Sequence, residues 1–105
     1  MTATVKTQFG TYEVNTEITS YVDNGTLAIL LWCEDGPFAT LTVNLPDSTH
    51  REGCQFVGMN NCPWAEDFIN KYNLGRFTGH YGVSGFCIYP EYEFNLEEIE
   101  KYKMW

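Results

Sequence analysis

The run Leu27–Cys33, "LAILLWC", constrains this chain more than any other stretch. Seven apolar residues in succession lie between two turn signals, Asp23–Thr26 ("DNGT") and Glu34–Pro37 ("EDGP"). A short apolar run bounded by turns reads as a central strand covered on both faces. The turns then place its neighbours. The preceding segment "QFGTYEVNTEITSYV" has strand composition, with Phe9, Tyr12, Val14, Ile18 and Tyr21 among Thr and Glu. In the following segment, "FATLTVNL", Leu41, Val43 and Leu45 alternate with Thr42 and Asn44, as in a half-buried strand that Pro46 ends. Together the three predict an antiparallel meander.

Beyond a polar loop from Pro46 to Gly53, "CQFVGM" (Cys54–Met59) is a fourth strand candidate. The pattern then changes period. Ala65, Phe68, Ile69 and Tyr72 fall on one helical face, Pro63 suits the first helical position, and Asn73 or Gly75 can stop the helix. Gly75–Gly85 is glycine-rich and reads as a loop. "FCIYPEYEF" (Phe86–Phe94) is a late strand whose Pro90 argues for an edge position or a bulge. A terminal helix follows, capped by Asn95 with Glu98 three residues on. Leu96, Ile99 and Met104 make its apolar side, and Glu97 can pair with Lys101.

The fold expected is therefore α+β: an antiparallel sheet of four to five strands, one main helix over Pro63–Tyr72 packed on one face, and a short C-terminal helix. A chain of 105 residues makes one domain, residues 1–105. Leu27, Ile29, Leu41, Val43, Phe56, Phe68, Ile69, Phe86 and Ile88 are the expected core.

Three stretches are familiar together: Phe38–Asp47 ("FATLTVNLPD"), Asn60–Ile69 ("NNCPWAEDFI") and Ser84–Glu98 ("SGFCIYPEYEFNLEE"). In this order they resemble an uncharacterised family of small proteins from conjugative elements and phage-like islands of Gram-positive gut bacteria. The resemblance runs from about Thr26 to Ile99. It brings no catalytic residues. It implies a mobile-element setting, in which small acidic proteins sometimes block host defence proteins.

Charge and chemistry narrow the function classes. A net charge of −8 disfavours nucleic acid or an anionic membrane as a direct partner. Imitation of DNA by the whole molecule is also disfavoured. One net charge serves roughly 750 Å² of a surface of about 6000 Å², against about 100 Å² on duplex DNA; only a local patch could imitate DNA. No leader segment and no membrane-length apolar run is visible, which predicts a cytoplasmic setting with the four cysteines reduced. The cysteines and histidines lack the close pairing of a structural zinc site, so no metal and no cofactor is expected.

Cys62 stands where a helix begins, a position that favours the thiolate and marks a possible reactive thiol. No second cysteine lies at C-x-x-C spacing, so a capping role is the expectation. Arg76, His80 and Ser84 form an alternative anion site in the glycine-rich segment. That segment precedes a strand, however, where a phosphate cradle opens a helix. Glu91, Glu93, Glu97 and Glu98, with Tyr89 and Tyr92, form an acidic strip in which the carboxylates face water and the aromatics point inward. The function expected is non-enzymatic binding of another protein through that strip. The alternative is a small anion-binding protein or thiol enzyme.

Overall fold

The structure is a computed structural model that describes every residue except Pro46, Asp47, Thr49, Met104 and Trp105. The expected roles of Pro46 and Met104 lie outside the described residues. Among the described residues eight strands and two short helices follow one another: β1 Ala3–Thr7, β2 Gly10–Ser20, β3 Leu27–Cys33, β4 Gly36–Thr40, β5 Thr42–Val43, β6 Cys54–Val57, α1 Ala65–Lys71, β7 Gly75–Ser84, β8 Cys87–Phe94 and α2 Leu96–Glu100. They build two four-stranded antiparallel sheets, ordered β1-β2-β3-β4 and β5-β6-β8-β7. The architecture is α+β-like and dominated by sheet, with two sheets where one of four to five strands was expected; the short C-terminal helix is present, and the helix expected as the main one is itself short.

The expected meander is present as β2, β3 and β4, with β1 added at its edge. "FATLTVNL" is divided between the sheets. β4 ends at Thr40, and the chain crosses at Leu41, whose N–H donates to the Ile29 carbonyl (2.9 Å) and whose own carbonyl accepts from Gly58 N–H (3.0 Å). That one fully buried residue is hydrogen-bonded to β3 of the first sheet and to the residue that follows β6 of the second. Buried Gln55 adds a second tie, donating from Nε2 to the Leu27 carbonyl (2.8 Å) and to Thr26 Oγ1 (3.0 Å). A buried amide satisfied in this way fixes register, because any slip would leave it unpaired.

Helix α1 spans Ala65–Lys71, shorter than expected at its start, with Trp64 as N-cap and Pro63 in the preceding turn. Its end follows the sequence. Asn73 takes φ of 57°, its N–H bonds Asn70 O (3.3 Å), and Leu74 N–H bonds Ile69 O (2.9 Å). These are the two bonds of a Schellman motif. Ala65, Phe68 and Ile69 pack against Ala3, Val5 and Val14 of the first sheet and Tyr92 and Phe94 of the second. Asn95 caps α2 by accepting from Glu98 N–H (3.3 Å), as its sequence predicts. Lys101 pairs with Glu98 instead of Glu97. Thr16 ties α2 to β2, its hydroxyl donating to Ile99 O (2.7 Å).

One expectation about the second sheet is corrected: Gly75–Ser84, read as a loop, is a ten-residue strand, β7. β8 is interior over Glu91–Glu93, while Pro90 is paired on one side only and adjoins a β-bulge in β7, in line with the edge position or bulge that its sequence implies. Pro90 is tolerated because β6 pairs only with Glu91–Glu93, so beyond Glu91 only β7 needs the backbone of β8. Phe86 and Ile88 are also not core: Phe86 is fully exposed and Ile88 is 59% exposed.

Candidate functional site

The site lies where β7 departs from regular pairing. Phe77 pairs with Tyr92 and Tyr81 with Pro90, so Thr78, Gly79 and His80 stand opposite Glu91 alone. The bulge requires Gly79, whose φ of +90° is disfavoured for side-chain-bearing residues. It aims Thr78 at Glu91: the Thr78 hydroxyl donates to Oε1 (2.8 Å) and accepts from His80 N–H (3.3 Å). Arg51, from the loop before β6, meets the same carboxylate oxygen with a hydrogen-bonded ion pair.

Glu91 is only 3% exposed, which corrects the expectation that it faces water. Burial pushes its carboxyl up. The Arg51 and Thr78 hydrogen bonds and the Arg51 and His80 charges outweigh this and hold it below the ordinary carboxylate range. Arg51 remains half exposed at the lip of a recess of about 560 Å³, lined also by Phe56, His80, Tyr81 and Gly82. The floor is tight: a Cβ on Gly82 would stand 2.5 Å from Leu45 Cδ1 and 2.8 Å from Phe56 Cε1. His50 packs edge-on against Phe56 (5.5 Å between centroids), with Nε2 buried and without a hydrogen-bond partner among the described residues.

The recess opens onto the free end of the β7–β8 hairpin. Val83 pairs with Ile88 there, and Tyr81, Val83, Phe86 and Ile88 are all exposed. The segment Gly75–Pro90 contains no Asp or Glu, in a chain with 14 of them. Sequence reasoning missed this surface because it assigned Phe86 and Ile88 to the core, and it missed Arg51 by reading its loop as solvated. The available signal was the absence of carboxylates over sixteen residues.

The other predicted site residues are dispersed. Arg76 is exposed and donates from Nε to Glu93 (2.8 Å), beside a separate concavity of about 340 Å³ that His80 does not line. Ser84 lies exposed at the end of the hairpin, paired with Cys87. The acidic strip is broken into parts: Glu91 and Tyr92 are buried, Tyr89 is half-buried, Glu93 pairs with Arg76, Glu98 pairs with Lys101, and Glu97 is exposed. Cys62 is buried in the main core with Sγ 3.8 Å from the Thr40 carbonyl, and burial pushes its thiol up. Among the described residues no group of three or more His, Cys, Asp or Glu is placed to hold a metal ion. No helix among the described residues is long and apolar enough to cross a membrane.

Fold and site together define a small acidic α+β domain with an apolar, carboxylate-free hairpin end beside a half-buried ion pair. The chain belongs to a family described as a domain of unknown function (DUF4313), whose profile matches residues 15–104. No curated protein and no solved structure matches it.

Proposed function

We propose that the chain is a non-enzymatic accessory protein that binds another protein through the end of the β7–β8 hairpin, in the mobile-element setting its sequence resemblance implies. The observation that carries this reading is the apolar face of Tyr81, Val83, Phe86 and Ile88, exposed on an otherwise acidic molecule. Tyr81 and Phe86 alone present on the order of 300 Å² of aromatic surface, the range in which exposed apolar patches mark docking sites. β7 is also an edge strand, able to accept a further strand. The partner that fits is an extended segment with apolar side chains and a carboxylate, because the surface offers Arg51 and His80 and, among the described residues that line the recess, the one carboxylate is Glu91, which Arg51 neutralises. The acidic strip supports docking less well, since Glu91, Glu93 and Glu98 are each engaged by a cation of the chain itself.

The test is a photo-crosslinker at Phe86, irradiated in the native host, with the adduct mapped by mass spectrometry. The expected adduct is one protein, lost on Val83→Lys/Ile88→Lys and kept on Glu97→Lys/Glu100→Lys. An adduct that survives the hairpin substitutions overturns the reading. A second reading, binding of a small anion, has in its favour that Arg51 and His80 share the recess. A phosphate titration that leaves the amide resonances of Thr78–Gly82 unmoved eliminates it.

A further inference from the structure

A third concavity, of about 610 Å³, lies between the β1–β2 turn and the start of α1. Its walls are aromatic. Tyr12 and Phe38 stand 5.2 Å apart at 45°, and Phe38 and Trp64 stand 5.8 Å apart at 49°, so the rings form a tilted row. Trp64 rests edge-on against buried Phe68 (5.9 Å, 88°), which fixes the row from below before any ligand arrives. Phe9 projects at one side, 81% exposed. The polar lining is rich in donors: the Lys6 ammonium and the Trp64 indole only donate, and the Gln8 and Asn61 amides add further N–H groups. Among the described residues no carboxylate lines the groove.

We infer that this groove binds a proline-rich segment of another protein in the polyproline II conformation. The inference shares with the proposed function only the premise that the chain binds protein, and it uses a different face. A polyproline II segment has no internal hydrogen bonds and leaves its carbonyls free, while its prolines have no N–H. It therefore meets a donor-rich rim without leaving donors of its own unpaired. Its length also fits. One turn advances about 9.3 Å, and the row from Tyr12 to Trp64 spans at most about 11 Å across its two centroid steps. Two prolines one turn apart can thus stack on Tyr12 and Trp64 and bracket the half-buried Phe38.

The test follows the Trp64 indole resonance, assigned with Trp64→Phe, while adding a blocked decapeptide containing a Pro-x-x-Pro core with apolar intervening residues. The expected result is a saturable shift below about 1 mM peptide. The same peptide with its prolines replaced by alanine should give none. Tyr12→Ala should weaken binding about threefold to tenfold, and Phe9→Ser, at an exposed site, should weaken it without altering the melting temperature. Val83→Lys/Ile88→Lys should leave binding intact, which separates this groove from the hairpin. No shift with the proline-rich peptide, an equal shift with the alanine peptide, or a shift indifferent to both Tyr12→Ala and Phe9→Ser overturns the inference.

Discussion

Glu91 is the one buried carboxylate among the described residues, and its environment sets the sign of a pH effect. Its folded pKa is depressed, so the unfolded chain binds the extra proton as pH falls. The stability it contributes is fully present above the ordinary glutamate value of about 4.3 and is lost as pH drops through the lower folded value. Glu91→Gln should cost about 1–2 kcal/mol at pH 7, because it removes a charge-assisted bond to a half-exposed Arg51. The variant should also lack part of the acid-side loss of stability that the parent shows in denaturant titrations between about pH 3 and 6. Parallel pH profiles for the two proteins would refute this account of the site. Cys62 gives a second residue-scale prediction. Its thiol is buried and pushed up by that burial, so iodoacetamide at pH 8 should label the half-buried Cys33 and Cys87 well before Cys62. Labelling of Cys62 first would restore the reactive reading.

At the scale of elements, local signals were legible where one neighbour decides the outcome. The turn at Asp23–Thr26, the Asn95 cap and the Asn73 stop are settled within a few residues, and each is found as read. β7 was not legible, because its glycines serve contacts distant in sequence. Gly82 is small because Leu45 and Phe56 crowd it, and Gly79 turns the bulge over Glu91; neither partner is local. The same non-local pairing hid the recess, since Arg51 and Glu91 are forty residues apart. The packing claim is testable through Gly82→Ala. Overpacking against Leu45 and Phe56 should destabilise by about 1–3 kcal/mol, whereas Ser84→Ala, exposed at the strand end, should stay within about 0.5 kcal/mol. Equal midpoints in a urea titration would show that the sheet yields at Gly82.

For the whole molecule, the decisive quantity is the net charge of −8 packed into a radius of gyration of 13.0 Å. Eight excess charges make about 28 pairwise repulsions, each about 0.2 kcal/mol at a typical separation near 18 Å in water. The folded state therefore carries on the order of 6 kcal/mol of self-repulsion before screening. The unfolded chain, with a radius near 30 Å, carries less than half of that. The three ion pairs among the described residues pull the other way, but the Arg76–Glu93 and Lys101–Glu98 pairs are exposed and contribute only about 0.2–1 kcal/mol each, and salt weakens the Arg51–Glu91 pair, with its buried carboxylate, only in part. Repulsion wins the comparison. Raising NaCl from 10 to 150 mM shortens the screening length from about 25–30 Å to about 8 Å, removing more repulsion from the compact state than from the expanded one. Stability should then rise by about 1–2 kcal/mol, a melting temperature higher by roughly 4–10 °C for a domain of this size. A melting temperature that falls over the same range would mean that the Arg51–Glu91, Arg76–Glu93 and Lys101–Glu98 pairs outweigh the field of the whole chain.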